Sequence, residues 1–168
     1  MSTKGRVSAL CAALTVAIST APEANPIGDD QSIEHGRYLA VTSGCNDCHT
    51  PGYAEAGGKA SPDVWLTGSS VGFQGPWGTT YPVNLRLYVQ SHSENDWIRR
   101  MREPIRPPMP WFNLREMTDA DLVALYRYLR DLGPAGSPTP AAAPPGVMVA
   151  TPYIEFTPKN ISNATSNP

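Results

Sequence analysis

Cysteine and histidine are scarce in this chain, with three of each in 168 residues. A structural zinc site of the ordinary kind draws on two pairs of Cys or His ligands. Cys45 and Cys48 make one pair, but Cys11 is remote, and His35 and His92 have no ligand spacing to one another. Aromatics make up 8% of the residues and charged side chains 17%, both modest for a globular protein. The formal net charge is −2, and there is no basic tract to engage a nucleic acid. So small a charge also argues against strong long-range steering. The apolar run from Val7 to Ile18 is about 12 residues, short of the roughly 20 that span a bilayer as a helix. The length suits one domain and is too short for two comfortable ones.

What the chain has in quantity is proline, at 18, and glycine, at 14. That balance fits a small, loop-rich domain whose core is completed by a large apolar group. The stretch Cys45-Asn46-Asp47-Cys48-His49 says which group. It reads C-x-x-C-H, the attachment signature of a c-type haem. Two thiols three positions apart reach the two vinyl groups on one edge of a porphyrin and form thioethers, and the adjacent histidine becomes the proximal ligand of the iron. Half a zinc site, a dithiol redox pair or an accidental spacing are the alternatives for a bare CxxC. A redox pair belongs at the end of a strand in a βαβ pattern, whereas Ile33 to Ser43 reads as a helix.

Lys4 and Arg6, the apolar run to Ile18 and the small residues Ser19, Thr20 and Ala21 follow the order of a secretory signal peptide. Residues 1–24 are therefore expected to be a leader cleaved between Ser19 and Ala24, giving a periplasmic protein with no stable membrane insertion. Cys11 follows Leu10, not the small residue of a lipoprotein site. Export suits the motif, because haem attachment consumes two thiols that would otherwise tend to close as a disulfide in an oxidising compartment.

Helical spacing predicts a short helix over Ile33 to Val41 with Ser32 as its cap. Gly36 in its middle costs about 1 kcal/mol relative to alanine, which makes sense if another helix must come close. Thr118 and Asp121 form a start signal like a capping box for a helix over Asp119 to Leu132, stopped by Gly133-Pro134. Ser93 to Arg102 reads as another helix, with Trp97, Ile98 and Met101 on its apolar face. Arg99, Arg100, Arg102 and Arg106 make a local basic cluster, either a solvated face or a docking surface for an acidic partner. Between the motif and position 92, turn formers such as Gly57-Gly58, Gly75-Pro76 and Tyr81-Pro82 predict a long loop.

A helix with a glycine before CxxCH, paired with a terminal Leu-Tyr-x-Tyr-Leu helix, resembles class I cytochrome c. The resemblance covers Ile33 to Leu132 firmly and the tail more loosely, and implies a monohaem cytochrome c domain over residues 32–133 with a mostly α fold, few helices and long loops wrapped around one covalently attached haem. It implies that Gly36, Tyr38 and Leu39 meet Leu125, Tyr126 and Leu129 where the first and last helices cross. Trp65, Phe73, Trp77 and Tyr81 are expected to line the porphyrin. Trp77, Tyr81, Asn84 and Arg86 carry donors for the haem propionates, with Trp77 and Arg86 the favoured pair.

The resemblance also implies a methionine as sixth ligand, just before the last helix. Pro107-Pro108-Met109-Pro110 supplies one in a stretch stiffened on both sides by fixed φ angles, and the run closely resembles small cytochromes associated with bacterial dehydrogenases. Met101, Met117 and Met148 are competitors, His92 would give bis-His ligation, and an open iron is a further alternative. Residues 134–168 form a Pro/Ala-rich extension, and Tyr153, Ile154 and Phe156 are expected to strap it back onto the domain. The function implied is one-electron transfer, with no catalysis by this chain itself. Its partners would be redox proteins: a dehydrogenase as donor and an oxidase or another cytochrome as acceptor. A subunit fixed within a dehydrogenase complex, with the tail as tether, is the alternative to a free shuttle.

Overall fold

The computed structural model describes residues 29–158; the leader expected at 1–24 lies outside them. In chain order the elements are α1 (Asp29–Thr42), α2 (Cys45–His49), a short 3-10 turn (Pro62–Val64), β1 (Gly72–Gly75), β2 (Gly78–Thr80), α3 (Leu85–Tyr88), α4 (Glu94–Met101), α5 (Trp111–Glu116), α6 (Asp119–Asp131) and β3 (Tyr153–Glu155).

The frame is the crossing of α1 and α6. A Cβ placed on Gly36 would lie 2.0 Å from the carbonyl oxygen of Ala124, so only glycine lets the two backbones touch there. Leu122, Leu125 and Leu129 of α6 are buried at this seam together with Ala40 of α1. Leu39 packs against the same core. Tyr38 does not: it is 60% exposed and stacks on His35. His35 Nε2 lies 2.7 Å from Asp121 Oδ1 and ties the two helices at their edge.

The capping predictions divide. Thr118 and Asp121 form a reciprocal capping box at the start of α6, and Ser93 caps α4 by accepting from the Asp96 amide. Ser32, however, is no cap. The helix begins at least three residues earlier, with Asp29 and Asp30 in its first turn, and Ser32 is buried within it. Carboxylates next to the positive end of a helix stabilise that longer start.

The stretch expected to be loop contains a β-hairpin. β1 and β2 pair antiparallel, with Phe73 opposite Thr80 and Gly75 opposite Gly78. The tail returns as β3, parallel to β1, to complete a three-stranded sheet in the order β2-β1-β3. Phe156 packs edge-on against Phe73, as expected of a strap. Turn-forming residues at both ends of each short strand hid the Phe73-Gln74 and Thr79-Thr80 alternation from pattern reading.

Candidate functional site

α2 carries Cys45, Cys48 and His49. It enters from Gly44, whose φ of +73° is a left-handed turn suited to glycine. Its exit is held by Thr50, which donates to Asn46 Oδ1 at 2.7 Å and accepts from the Leu66 amide at 2.8 Å. Leu66 itself sits at φ +59°, unusual for a leucine, and its carbonyl accepts from the Leu85 amide at 3.0 Å. These bonds set the segment around Val83 against the histidine. His49 Nδ1 donates to the Val83 carbonyl at 2.7 Å. With Nδ1 engaged, Nε2 keeps its lone pair, and the ring has the fixed tautomer and orientation of a metal-ligating imidazole. Burial lowers the His49 pKa, partly offset by the hydrogen bond to Val83, which favours the neutral ring that ligation requires.

The same residues open onto a cavity of about 560 Å³, within the roughly 300–1,000 Å³ of ordinary cofactor sites. Its wall includes Cys45, Cys48 and His49 from α2, Met101 from α4, and Pro108, Met109 and Pro110 from the proline-flanked segment. Leu125 and Leu129 of the frame and Phe73, Tyr81 and Leu85 complete the apolar lining. Burial pushes the Cys45 thiol up to about 11, and burial together with the Asp47 charge raises Cys48. A dithiol redox pair needs the opposite, a depressed thiol pKa. Among the described residues, no group of three or more Cys, His, Asp or Glu converges to hold an ion. Two thiols, one oriented imidazole and thioethers in an apolar wall fit a haem c, and neither zinc nor dithiol chemistry.

The structure brings Cys45, Cys48, His49 and Met109 to one cavity and leaves Trp77 and Arg86 out of its wall. Arg86 is buried; its Nε donates to Gly133 O at 2.6 Å, one terminal nitrogen to Asp63 O at 2.9 Å and the other to Leu132 O. That guanidinium staples the end of α6 to the loop after the motif, where a propionate donor was expected. Trp77 turns its Nε1 toward Phe73 O and lies against Phe156. Asn84 caps α3 and donates to Ala135 O and Ser137 O. Trp65 belongs to the core beside Tyr53 and is likewise absent from the wall. His92 stacks on Tyr88 at 4.0 Å between ring centroids, outside the cavity lining.

Sequence reasoning missed several wall residues. Arg100 and Arg106 of the basic cluster line the cavity, while Arg99 pairs with Asp96, and Arg102 with Asp119 and three backbone carbonyls. Thr80 and the tail residues Thr139 to Ala142 also line it. Thr80 shares a face with Phe73 only through the hairpin register that sets the two opposite each other; nothing local in Thr139-Pro-Ala-Ala points to a cofactor wall.

The chain belongs to the cytochrome c family, whose pattern it matches over residues 33–133. The fold, few helices and long loops around one cavity, is the one that family implies. Among curated proteins, the chain is 31% identical over 120 residues to a subunit of nicotinate dehydrogenase from Pseudomonas putida, a match covering 65% of this chain and 9% of that protein. It is 26% identical over 121 residues to the fructose dehydrogenase cytochrome subunit of Gluconobacter japonicus, covering 65% of this chain and 23% of that protein. The chain thus spans only a minor part of the length of both relatives. No solved structure matches it significantly. Membership of the family carries with it a covalently bound haem c and a role in electron transfer.

Proposed function

We propose that this protein is an exported monohaem cytochrome that relays single electrons from a dehydrogenase, with His49 and Met109 as axial ligands. Bound haem supplies the one-electron couple of its iron. Cys45 and Cys48 hold it as thioethers, and His49, oriented through Val83, presents Nε2. Met109 presents its sulfur from a segment whose prolines limit backbone freedom, so the ligand set changes little between oxidation states. The carrying observation is the apolar cavity that has Cys45, Cys48, His49 and Met109 together in its wall. Methionine ligation raises the potential over a bis-His site, which suits delivery to a high-potential oxidase or another cytochrome.

The test is a reduced-minus-oxidised spectrum of the purified protein, together with the weak near-infrared sulfur-to-iron band of the oxidised form. The expected result is a sharp haem c α-band plus the sulfur band, with the latter lost in Met109→Ala and kept in Met101→Ala. Loss in the Met101 variant alone would move the sixth ligand to α4.

The second reading, a cytochrome fixed within a dehydrogenase complex, is favoured by both relatives being dehydrogenase subunits. Co-purification with a dehydrogenase through a high-salt wash would support it. Release into a free monomer would support the shuttle, whose redox contacts are small and transient.

A further inference from the structure

Met109 lies in the stretch from Glu103 to Pro110 that joins α4 to α5, and one side chain holds both ends of that connection. Arg102 is the C-cap of α4, its amide donating to the Arg99 carbonyl at 3.2 Å. Its guanidinium reaches across to the far end of α5. One terminal nitrogen donates to the carbonyls of Arg115 at 2.5 Å and Met117 at 2.7 Å, with a longer contact to Leu114 O at 3.3 Å. The other donates to Asp119 Oδ1 at 2.5 Å. Carbonyls in the last turn of a helix have no partner within it, and a cation there also meets the negative end of the helix dipole. At its start α5 is tied to the methionine: the Trp111 amide donates to the Met109 carbonyl at 2.8 Å, and the Asn113 amide to Pro110 O at 2.9 Å. Chain and hydrogen bonds thus close a ring, from Arg102 through Met109 and α5 back to the Arg102 side chain.

Resting on the reading of Met109 as the sixth ligand, we infer that Arg102 is a positioning residue for it, whose hydrogen bonds to the end of α5 keep the methionine available to the iron. Pro104, Pro107, Pro108 and Pro110 limit φ inside the ring. Prolines stiffen a segment, but where it sits is set by its anchors, and Arg102 supplies one. Met101, Met109 and Leu114, which come before, within and after the stretch, all stand in the cavity wall, so slack in the ring is felt there directly. A thioether is a weak, neutral ligand, and its hold depends on how little freedom its segment has to lose on binding. The backbone carbonyls carry this role more than Asp119 does. That carboxylate side chain is 74% exposed, and an ion pair in such a setting is worth little.

The test is imidazole binding to the ferric holoprotein, followed through loss of the near-infrared sulfur band, in the parent, Arg102→Gln, Asp119→Asn and Arg86→Lys. Imidazole competes with the methionine for the iron, so its apparent affinity rises as the segment loses its hold. Arg102→Gln is expected to keep the haem α-band and to bind imidazole at least about tenfold more tightly. Asp119→Asn is expected to match the parent. Arg86→Lys controls for a general loss of stability, because Arg86 also donates to three backbone carbonyls but stands outside the cavity wall. It should unfold at lower denaturant and keep the parental imidazole affinity. Arg102→Lys serves the same comparison if the glutamine variant yields no holoprotein, since an ammonium does not reproduce the planar fork of a guanidinium. Parental affinity in the Arg102 variant overturns the assignment, as does an equal rise in Asp119→Asn or Arg86→Lys. A parent holoprotein without the sulfur band overturns the reading of Met109 instead.

Discussion

The α1–α6 crossing and the hairpin with its tail strand both border the cavity, but different forces hold them. At the crossing, leucines of α6 are buried to 4% exposure or less and a glycine lets two backbones meet. The sheet has little of that. Its third strand is exposed at every residue, and Tyr153, Ile154 and Phe156 are each about half exposed. What joins the tail to the hairpin is a row of backbone bonds: Gly72 to Pro152, Thr79 to Ala143 and back, and Phe156 to Gln74. Buried apolar area contributes roughly 25 cal/mol per Å², whereas a backbone hydrogen bond contributes about 1 kcal/mol net. The frame is therefore the stable part, and the sheet is a wall that leans on whatever fills the cavity.

The strongest way to break this contrast is at Gly36. Gly36→Ala gains about 1 kcal/mol in helix propensity, but its methyl overlaps the Ala124 carbonyl, and overpacking costs about 3 kcal/mol. The expected net loss is about 2 kcal/mol in denaturant unfolding of the holoprotein, with the whole chain affected because the crossing is common to everything.

A middle-sized effect is expected at Gly78, where φ is +96° and a Cβ would strike the tail backbone. Gly78→Ala should cost more than about 1 kcal/mol, and the cost should stay local. Amide exchange at Thr79 and Ala143 is expected to speed up while amides of α1 and α6 keep their protection. Equal acceleration in the two helices would show that the wall and the frame are one cooperative unit.

The smallest effect is electrostatic. The hydrogen bond from His35, then that from Thr118, holds the Asp121 carboxyl below the ordinary carboxylate range. A depressed acid stabilises the fold above its unfolded-state pKa, and the contribution disappears as pH falls through the lower folded-state value. Asp121→Asn should thus lose under about 1 kcal/mol at neutral pH, and the difference from the parent should vanish in acid. A difference that persisted in strong acid would assign the effect to capping geometry and not to charge.

Legibility in the sequence followed the range of the interactions. The haem motif, the capping box at Thr118, the cap at Ser93 and the close approach at Gly36 are all written within a few residues, and the structure has each in place. Helix periodicity located α4 and α6 because one turn of neighbours suffices to show it. The failures lie where partners are distant in sequence. Arg86 reads in the sequence as a donor for a haem propionate, but the fold places three carbonyls around it, two of them 46 and 47 residues away. The Pro/Ala stretch reads as an extension strapped back onto the domain by Tyr153, Ile154 and Phe156, but its share in the cavity wall depends on pairing with a strand some 64 residues earlier, from Ala143 back to Thr79.

By itself, then, the sequence determined the attachment motif, with two thiols three positions apart and an imidazole next to the second, the placing of Met109 between prolines, and the local signals that begin the main helices. Those follow from bond lengths and from contacts one turn apart, which any short stretch of chain expresses without help. Only the tertiary structure decided that Arg86 and Trp77 stand outside the cavity wall while Thr80 stands in it, and that the tail forms part of that wall. Hydrogen-bond satisfaction is a property of the assembled interior, where each buried group takes the nearest partner the packing allows, and that choice is made only when distant segments meet.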